Sequence, residues 1–404
     1  MIGFNNNQKK ILVIGAADSC LGIIKTIKRL GHKTIVVGAN EEMPAKAIAD
    51  YYLVAKDEDV NGVVSYCQQI GVDAIVPTPV DRTLHWMAKV AEKLGLVFLS
   101  VKAVENFRNK YQMKICMKDA GINCAKGILA SKGNFNSLPL QHYSFPLIVK
   151  PIDAYASRGV VKVNNITELE LYMNEASSFS SNGQIVIEEF IDGREFNAEG
   201  VCYNGVVEIY AIVEKIRGPF PRTIEMGHII PPDITKNEEN IIVETISKAV
   251  LASGMENGAF NAEIKLHNKQ GYVIEVNGRL AGDFIISHLL KPTTGQDMEE
   301  ALVKISLGLQ PDKARRNYIE HGIISFFNLP AGGKIKEIKD FNQLHKNPNI
   351  IRVHLFYKKD DIIPEVLHMG HRSGFVIVTA INRKELFQFA DKIKDEVIHS
   401  ITFY

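Results

Sequence analysis

The chain has 404 residues, 46% of them hydrophobic and 23% charged, and a net charge of +1. That length admits two to three domains or one large composite unit, and the near-zero charge gives no reason to expect a nucleic-acid surface. The first ten residues are polar and lack the apolar core of a signal peptide, no run approaches the ~18 apolar residues of a membrane span, and the five cysteines (20, 67, 116, 124 and 202) show no CxxC spacing, so a reduced, cytoplasmic protein is expected.

Residues 10–15 form a short apolar run ending in Gly15, followed by a helical segment to Leu30 and a strand at 33–38, which is one βαβ unit. A strand at 74–77, a helix at 83–94 and a strand at 97–99 continue the alternation and predict a doubly wound parallel sheet. The first turn, Gly15-Ala16-Ala17, lacks Gly-x-Gly-x-x-Gly and reads as scaffold beside a neighbouring site. Residues 101–121 read as a helix. A small α+β lid follows from Cys124, with strands at 147–151, 160–163 and 184–189 and a helix at 167–175 opened by a Thr167/Glu170 capping box. Longer strands come next at 195–202 and 206–216, then a Pro- and Gly-rich loop at 218–232 and a helix at 238–253. Asp283 and Asp297 are candidate caps of helices reaching Leu290 and Gly308, 311–316 is a polar connection, and 321–404 holds strands and a closing helix at 384–396.

The most informative stretch is 261–283, two alternating arms around a turn at 268–271. Glu263 and Lys265 share one face of the first arm; Glu275, Asn277 and Arg279 share one face of the second. A three-residue loop at 268–270 would set Glu263 directly opposite Glu275, whereas a two-residue loop would put them on opposite faces. Opposed carboxylates repel, and a shared divalent cation removes the penalty. Glu263, Glu275 and the Asn277 carbonyl are hard oxygen ligands suited to Mg²⁺, and Arg279 adds a planar fork suited to phosphate.

Two further stretches carry chemistry. In Ile148-Val149-Lys150-Pro151 followed by Asp153-Ala-Tyr-Ala-Ser-Arg-Gly159, a lysine ends an apolar strand and a Ser- and Gly-containing loop follows, an arrangement able to hold phosphates. In Val186-Ile-Glu-Glu-Phe-Ile191, the strand edge at Glu189, Phe190 and Ile191 can pair with a purine while Glu188 accepts from its amine.

In this order and spacing the three stretches resemble the ATP-grasp superfamily. The resemblance implies an N-terminal doubly wound α/β domain (1–108), a first ATP-grasp part with a mobile lid (109–191, the lid at 124–189), a central antiparallel-sheet part with the metal and substrate site (192–310) and a C-terminal subdomain (311–404). Carried over residue by residue, Lys110 and Lys150 would contact nucleotide phosphates, Ser157, Arg158 and Gly159 would form the phosphate loop, Glu188 to Ile191 would hold adenine and Glu195 the ribose. Glu263, Glu275 and Asn277 would bind Mg²⁺, or Mn²⁺ in its place. Ala154-Tyr155-Ala156 lacks the glycines common in that loop.

Within the superfamily the chain looks most like the L-amino-acid ligases. Glu225-Met-Gly-His228 with Pro231-Pro232, Asn277-Gly-Arg-Leu-Ala-Gly-Asp283, and Pro330-Ala-Gly-Gly333 with Arg372-Ser-Gly-Phe-Val-Ile377 carry that likeness. It implies that Glu225 holds a substrate amine, that His228 sits near a carboxylate or the reacting carbonyl, and that Arg279 faces the transferred phosphate. Asn277-Gly278 stands where Asn-Pro is usual, which loosens the backbone. The implied activity is an ATP-dependent carboxylate–amine ligase working through an acyl phosphate, with Lys150, His228 and Arg279 as catalytic groups. The implied partners are ATP and small carboxylate and amine substrates, with a homodimer as the candidate assembly and no nucleic acid or membrane. Competing readings are another ATP-grasp chemistry, as in biotin carboxylase or purine biosynthesis, and a non-catalytic nucleotide-binding module.

Overall fold

The computed structural model describes residues 8–131, 134 and 138–404. Its N-terminal part is a parallel sheet in the order β3-β2-β1-β4, built from β1 (Lys10–Ile14), β2 (Lys33–Gly38), β3 (Tyr51–Val54) and β4 (Ala74–Ile75). The apolar β1 and β2 are covered on both faces, by α1 (Leu21–Arg29) on one side and by α2 (Val60–Ile70) and α3 (Asp81–Leu94) on the other, as parallel sheets require. The strand expected at 97–99 does not form, and β3, which the sequence reading left out, takes the edge. The helix expected at 101–121 is two helices, α4 (Val101–Arg108) and α5 (Lys110–Asp119). Asn109 breaks them apart in an extended conformation, and its side chain accepts from the Tyr111 and Gln112 amides. The break places Lys110 at the start of a helix beside the cleft.

The lid is a four-stranded sheet in the order β5-β8-β6-β7, formed by β5 (Gly127–Ser131), β6 (Leu147–Pro151), β7 (Val161–Val163) and β8 (Gln184–Glu189), with α6 (Ile166–Ser178) packed on it. Asn165, not Thr167, caps α6: its side chain accepts from the Glu168 amide and the Glu168 carboxylate bonds back to Asn165 and Asn164. Asn is the stronger cap, so the helix starts earlier.

The body is an eight-stranded sheet in the order β13-β12-β9-β10-β11-β14-β17-β16, antiparallel throughout. Its strands are β9 (Arg194–Tyr203), β10 (Val206–Arg217), β11 (Glu225–Ile230), β12 (Gly258–His267), β13 (Gln270–Asn277), β14 (His321–Phe327), β16 (Ile350–Leu355) and β17 (Gly374–Ala380); β15 (Ile335–Ile338) and β18 (Ile401–Phe403) pair separately. Helices α7 (Lys236–Ala252), α8 (Lys291–Thr294), α9 (Met298–Ser306) and α10 (Arg383–His399) complete the fold. β11 and β14, which lie on either side of residue 310 in the chain, pair in this one sheet, so the C-terminal segment extends the central sheet. Part of the loop expected at 218–232 is in fact β11, drawn into the sheet by pairing with β10 and β14 on its two sides. No helix among the described residues is long and apolar enough to cross a membrane.

The hairpin departs from its expected loop yet keeps the expected face. His267 pairs with Gln270, so the loop is the two residues Asn268 and Lys269, both in the left-handed region that such hairpins demand. The one-residue difference is taken up by a bulge at Ile274, so that Ile264 pairs with Val273 while Glu263 still pairs with Glu275. Gly278 is not a loosening: a Cβ there would lie 2.5 Å from Leu99 Cδ1 and 2.9 Å from the Phe107 ring, so close approach of the chain to α4 needs glycine.

Candidate active site

Between lid, body and N-terminal domain lies a cleft of about 320 Å³. Its floor is a grid of polar side chains on adjacent strands. Asn197 of β9, Glu263 of β12 and Glu275 of β13 form one row; Glu199, Asn261 and Asn277 form the next. Glu263 Oε2 takes Lys215 Nζ at 3.0 Å, and Glu275 Oε1 takes Lys110 Nζ at 3.2 Å. The other oxygen of each carboxylate and the Asn277 amide have no protein partner among the described residues. Burial and the nearby Glu225 and Glu275 carboxylates push the Glu263 carboxyl up to about 7 despite Lys215. Two opposed carboxylates with free oxygens beside a free amide oxygen are a donor set that fits a hard divalent cation.

Lys215 was missed by the sequence reading. It is the buried centre of the floor, 3.1 Å from Glu195, 2.6 Å from Glu225 and 3.0 Å from Glu263. Burial opposes its charge, but the Glu225, Glu263 and Glu195 carboxylates hold the ammonium above the usual lysine range. The signal was a charged residue in the apolar run of β10. Glu199 was missed too: fully buried and bonded to Asn261 Nδ2 at 2.6 Å, its carboxyl is pushed by burial up to about 8.

At the lid end, Lys150 and Lys114 both grip Glu188, at 2.7 Å and 2.5 Å. Burial opposes the Glu188 charge and the two lysines hold it below the usual carboxylate range. Both its oxygens are therefore engaged by cations, which takes Glu188 away from the expected role of accepting from a base amine. Glu189, Phe190 and Ile191 do line the cleft. Lys265 donates to the Ile191 carbonyl at 2.7 Å and stands 4.6 Å from the Phe190 ring, and Phe220 meets Phe190 edge-on at 5.5 Å. Glu195 departs furthest from expectation. It shares the strand face of Asn197 and Glu199, opposite Lys265, but is buried by Lys215, by Arg217 Nε at 2.8 Å and by Lys265 at 3.8 Å, and so acts as a counter-ion that does not line the cleft.

The phosphate loop lines the cleft through Ala154, Tyr155, Ala156 and Ser157. Ala156 and Ser157 are both in the left-handed region, at φ 58° and 56°, so a stretch of the loop without glycine takes a glycine-like course. Lys110 Nζ donates to the Ala154 carbonyl at 2.8 Å, and Ser157 Oγ to the Thr223 carbonyl at 3.1 Å. Arg158 instead stands 5.2 Å over the Tyr155 ring and Gly159 turns the chain against Phe179; neither lines the cleft.

The far end holds His228, Glu225 and Asp283. His228 Nε2 is 3.2 Å from Asp283 Oδ2 and 3.6 Å from Glu225 Oε2, so this nitrogen carries the hydrogen. Its Nδ1 is buried without a hydrogen-bond partner among the described residues. Asp283 does not cap a helix. It and Phe284 both have positive φ, and the next residues form a π-helix, Ile285–Leu290, with no side-chain cap. The Asp283 carboxylate is engaged by Arg372, at 2.7 Å and 2.9 Å, and although burial opposes its charge, Arg372 and His228 hold it well below the usual range. Asp297 does cap its helix, accepting from the Glu300 amide. Arg279 lines the cleft, but its fork is bound by Asp81 of the N-terminal domain at 2.5 Å and 3.0 Å. The sequence reading placed its fork on phosphate; here the buried guanidinium has a carboxylate partner from 198 positions away in the chain.

Such a lid over an antiparallel sheet, with lysines beside paired carboxylates, is an ATP-grasp fold. The ATP-grasp domain family matches residues 143–287, and L-amino acid ligase C-terminal domain 2 matches residues 325–400. The chain thus carries an ATP-grasp domain and an L-amino acid ligase C-terminal domain. Alanine–anticapsin ligase from Bacillus subtilis is 28% identical over 273 residues, 62% of this chain and 57% of the relative, so the match spans little more than half of that protein. The crystal structure of an L-amino acid ligase from Bacillus licheniformis superposes with a TM-score of 0.84 at 23% identity, covering 99% of both chains. Phosphoribosylglycinamide synthetase from Anaerococcus prevotii gives a TM-score of 0.76 at 23% identity, over 98% of this chain and 100% of that one. At these identities the two structures establish the fold.

Proposed function

We propose that this protein is an ATP-dependent ligase that joins the carboxylate of an amino acid, or a related carboxylate, to an amine, a second amino acid in the leading case, and releases ADP and phosphate. A carboxylate does not react with an amine in neutral water, because its oxide is a poor leaving group. Transfer of the γ-phosphoryl group gives an acyl phosphate; the amine then attacks the carbonyl carbon and phosphate leaves. Such a reaction needs positioning and charge neutralisation more than covalent participation by the protein.

The observation that carries the reading is the order of groups along one cleft. Lys110 and Lys150 stand at the phosphate-loop end, Glu263 and Glu275 with free oxygens in the middle, and Glu225, His228 and Asp283 at the other end. Glu263, Glu275 and Asn277 would hold Mg²⁺, which supplies charge neutralisation on the phosphate oxygens. Lys110 and Lys150 offset the remaining charge, and Ser157 and the loop amides orient the phosphates. Phe190, Phe220 and the Glu189–Ile191 edge receive the base. Arg279, its fork fixed by Asp81, holds its positive charge beside the metal ligands. Glu225 offers a carboxylate to the incoming ammonium, and His228, its Nε2–H between the Glu225 and Asp283 carboxylates, orients both.

The test is release of ADP and phosphate from Mg·ATP across pairs of amino acids, with mass spectrometry of the products. AMP and pyrophosphate as stoichiometric products would replace this mechanism by adenylation. Phosphate release that depends on bicarbonate or formate would favour a different ATP-grasp chemistry. No turnover with tight Mg·ATP binding would favour a nucleotide-binding module.

A further inference from the structure

Arg372 lies outside the ATP-grasp half of the chain, yet it reaches the acceptor end of the cleft. Its side chain is 6% exposed and four of its five N–H donors are engaged. Nη1 and Nη2 grip the two oxygens of Asp283, Nη1 also donates to the Glu225 carbonyl at 3.1 Å, and Nε donates to the Met369 carbonyl at 2.9 Å. Its guanidinium carbon lies 3.4 Å from the centre of the Phe326 ring. With four of its five N–H donors committed to protein groups, Arg372 acts through the residues it holds. Three residues earlier, the Met369 amide donates to the Ala156 carbonyl of the phosphate loop at 3.2 Å.

Both places that this short segment holds are backbone that its residue types disfavour. Ala156 and Ser157 sit at positive φ on the lid side, and Asp283 and Phe284 do so on the acceptor side. Strained pairs of this kind persist where the surroundings over-determine them. Arg372 supplies that constraint at Asp283, and Met369 supplies it at Ala156.

We propose that Arg372 is the positioning residue of the acceptor pocket and that the 369–372 segment links this pocket to the phosphate loop, so that nucleotide in the loop orders Glu225, His228 and Asp283 for the amine. The proposal rests on the ligase reading above, in which the loop holds nucleotide phosphates and those three groups meet the amine. A bidentate arginine is needed because a lysine in its place cannot span both Asp283 oxygens and the Glu225 carbonyl.

Hydrogen exchange with Mg·AMPPNP as the probe tests it in the full chain, in the unaltered protein and in Arg372→Met, Arg372→Lys and Met369→Pro. In the unaltered protein, AMPPNP slows exchange at 154–159 and, with it, at 225–230 and 281–285. In Arg372→Met the loop still slows, but the response at 225–230 and 281–285 falls by about tenfold or more, and Arg372→Lys restores it in part. Met369→Pro deletes the amide that binds Ala156, leaves Arg372 in place, and also uncouples the two responses. Full response of the acceptor segments in Arg372→Met or in Met369→Pro overturns the proposal. No slowing at 154–159 in the unaltered protein would remove the nucleotide reading itself, and the coupling with it.

Discussion

Two pairs of glutamates in one cleft have opposite fates. Glu188, at the hinge of the lid, and Glu195, in the floor opposite Lys265, are each closed off by two or more cations: Lys114 and Lys150 for the first, Lys215, Arg217 and Lys265 for the second. Glu263 and Glu275, on the hairpin, each meet one lysine and keep one oxygen free. Residue type does not separate the pairs; the number of cations around each does. A buried carboxylate with both oxygens engaged is an internal counter-ion whose loss strands the lysines. One with a spare oxygen opposite another of the same kind has capacity left for a ligand.

The comparison is broken most sharply by substituting one member of each pair. Glu275→Gln keeps the volume and the fold but removes a ligand charge, and turnover should fall by roughly three orders of magnitude. A steady-state rate near that of the unaltered protein at saturating Mg²⁺ would place the metal elsewhere. Glu188→Gln should act on the fold instead, costing about 3 kcal/mol or more in urea unfolding because two buried ammonium groups lose their anion. Unchanged stability there would mean that the hinge lysines are neutral or hydrated.

Arg279 sharpens the same contrast from the cationic side, since Asp81 fixes its fork as Glu188 fixes Lys150. Arg279→Lys keeps the charge and loses the fork. The expected result is a fall in kcat of roughly two orders of magnitude with little change in Mg·ATP binding. A raised amino-acid KM with kcat intact would assign it to substrate binding. The smallest effect concerns Glu199, whose carboxyl burial raises from 4.5 to about 8. A raised acid pKa favours folding fully below the unfolded value and loses that contribution as pH rises through the folded one. The melting temperature of Glu199→Gln should therefore gain on that of the unaltered protein between about pH 5 and 8, and parallel curves would show that Glu199 is ionised throughout.

Much of the floor was legible because it is local. Glu263, Glu275 and Asn277 lie within one hairpin, and alternation alone assigns their face. The reading of the loop was wrong in length and right in outcome, because the bulge at Ile274 offset a two-residue turn, and no period-2 argument detects a bulge. The phosphate loop was placed by its lysine and serine, but not its left-handed alanine and serine, a shape that composition argues against. The contacts of the acceptor end were not legible. Asp81 meets Arg279 across 198 positions, and Arg372 meets Asp283 across 89. Such pairs are made by the packing of domains, which a linear pattern does not carry. Lys215 falls between: its charge in an apolar strand was visible, but the three carboxylates it serves come from three other strands.

The central claim is that the carboxylate is activated as an acyl phosphate, and oxygen tracing tests it directly. With the amino-acid pair that gives the most phosphate, the carboxylate substrate is labelled with ¹⁸O and incubated with Mg·ATP. When the amine displaces phosphate, the C–O bond breaks and the bridging oxygen leaves with phosphorus, so one ¹⁸O per amide bond formed should appear in inorganic phosphate. Recovery of the label in AMP, or unlabelled phosphate alongside labelled amide, would contradict the account.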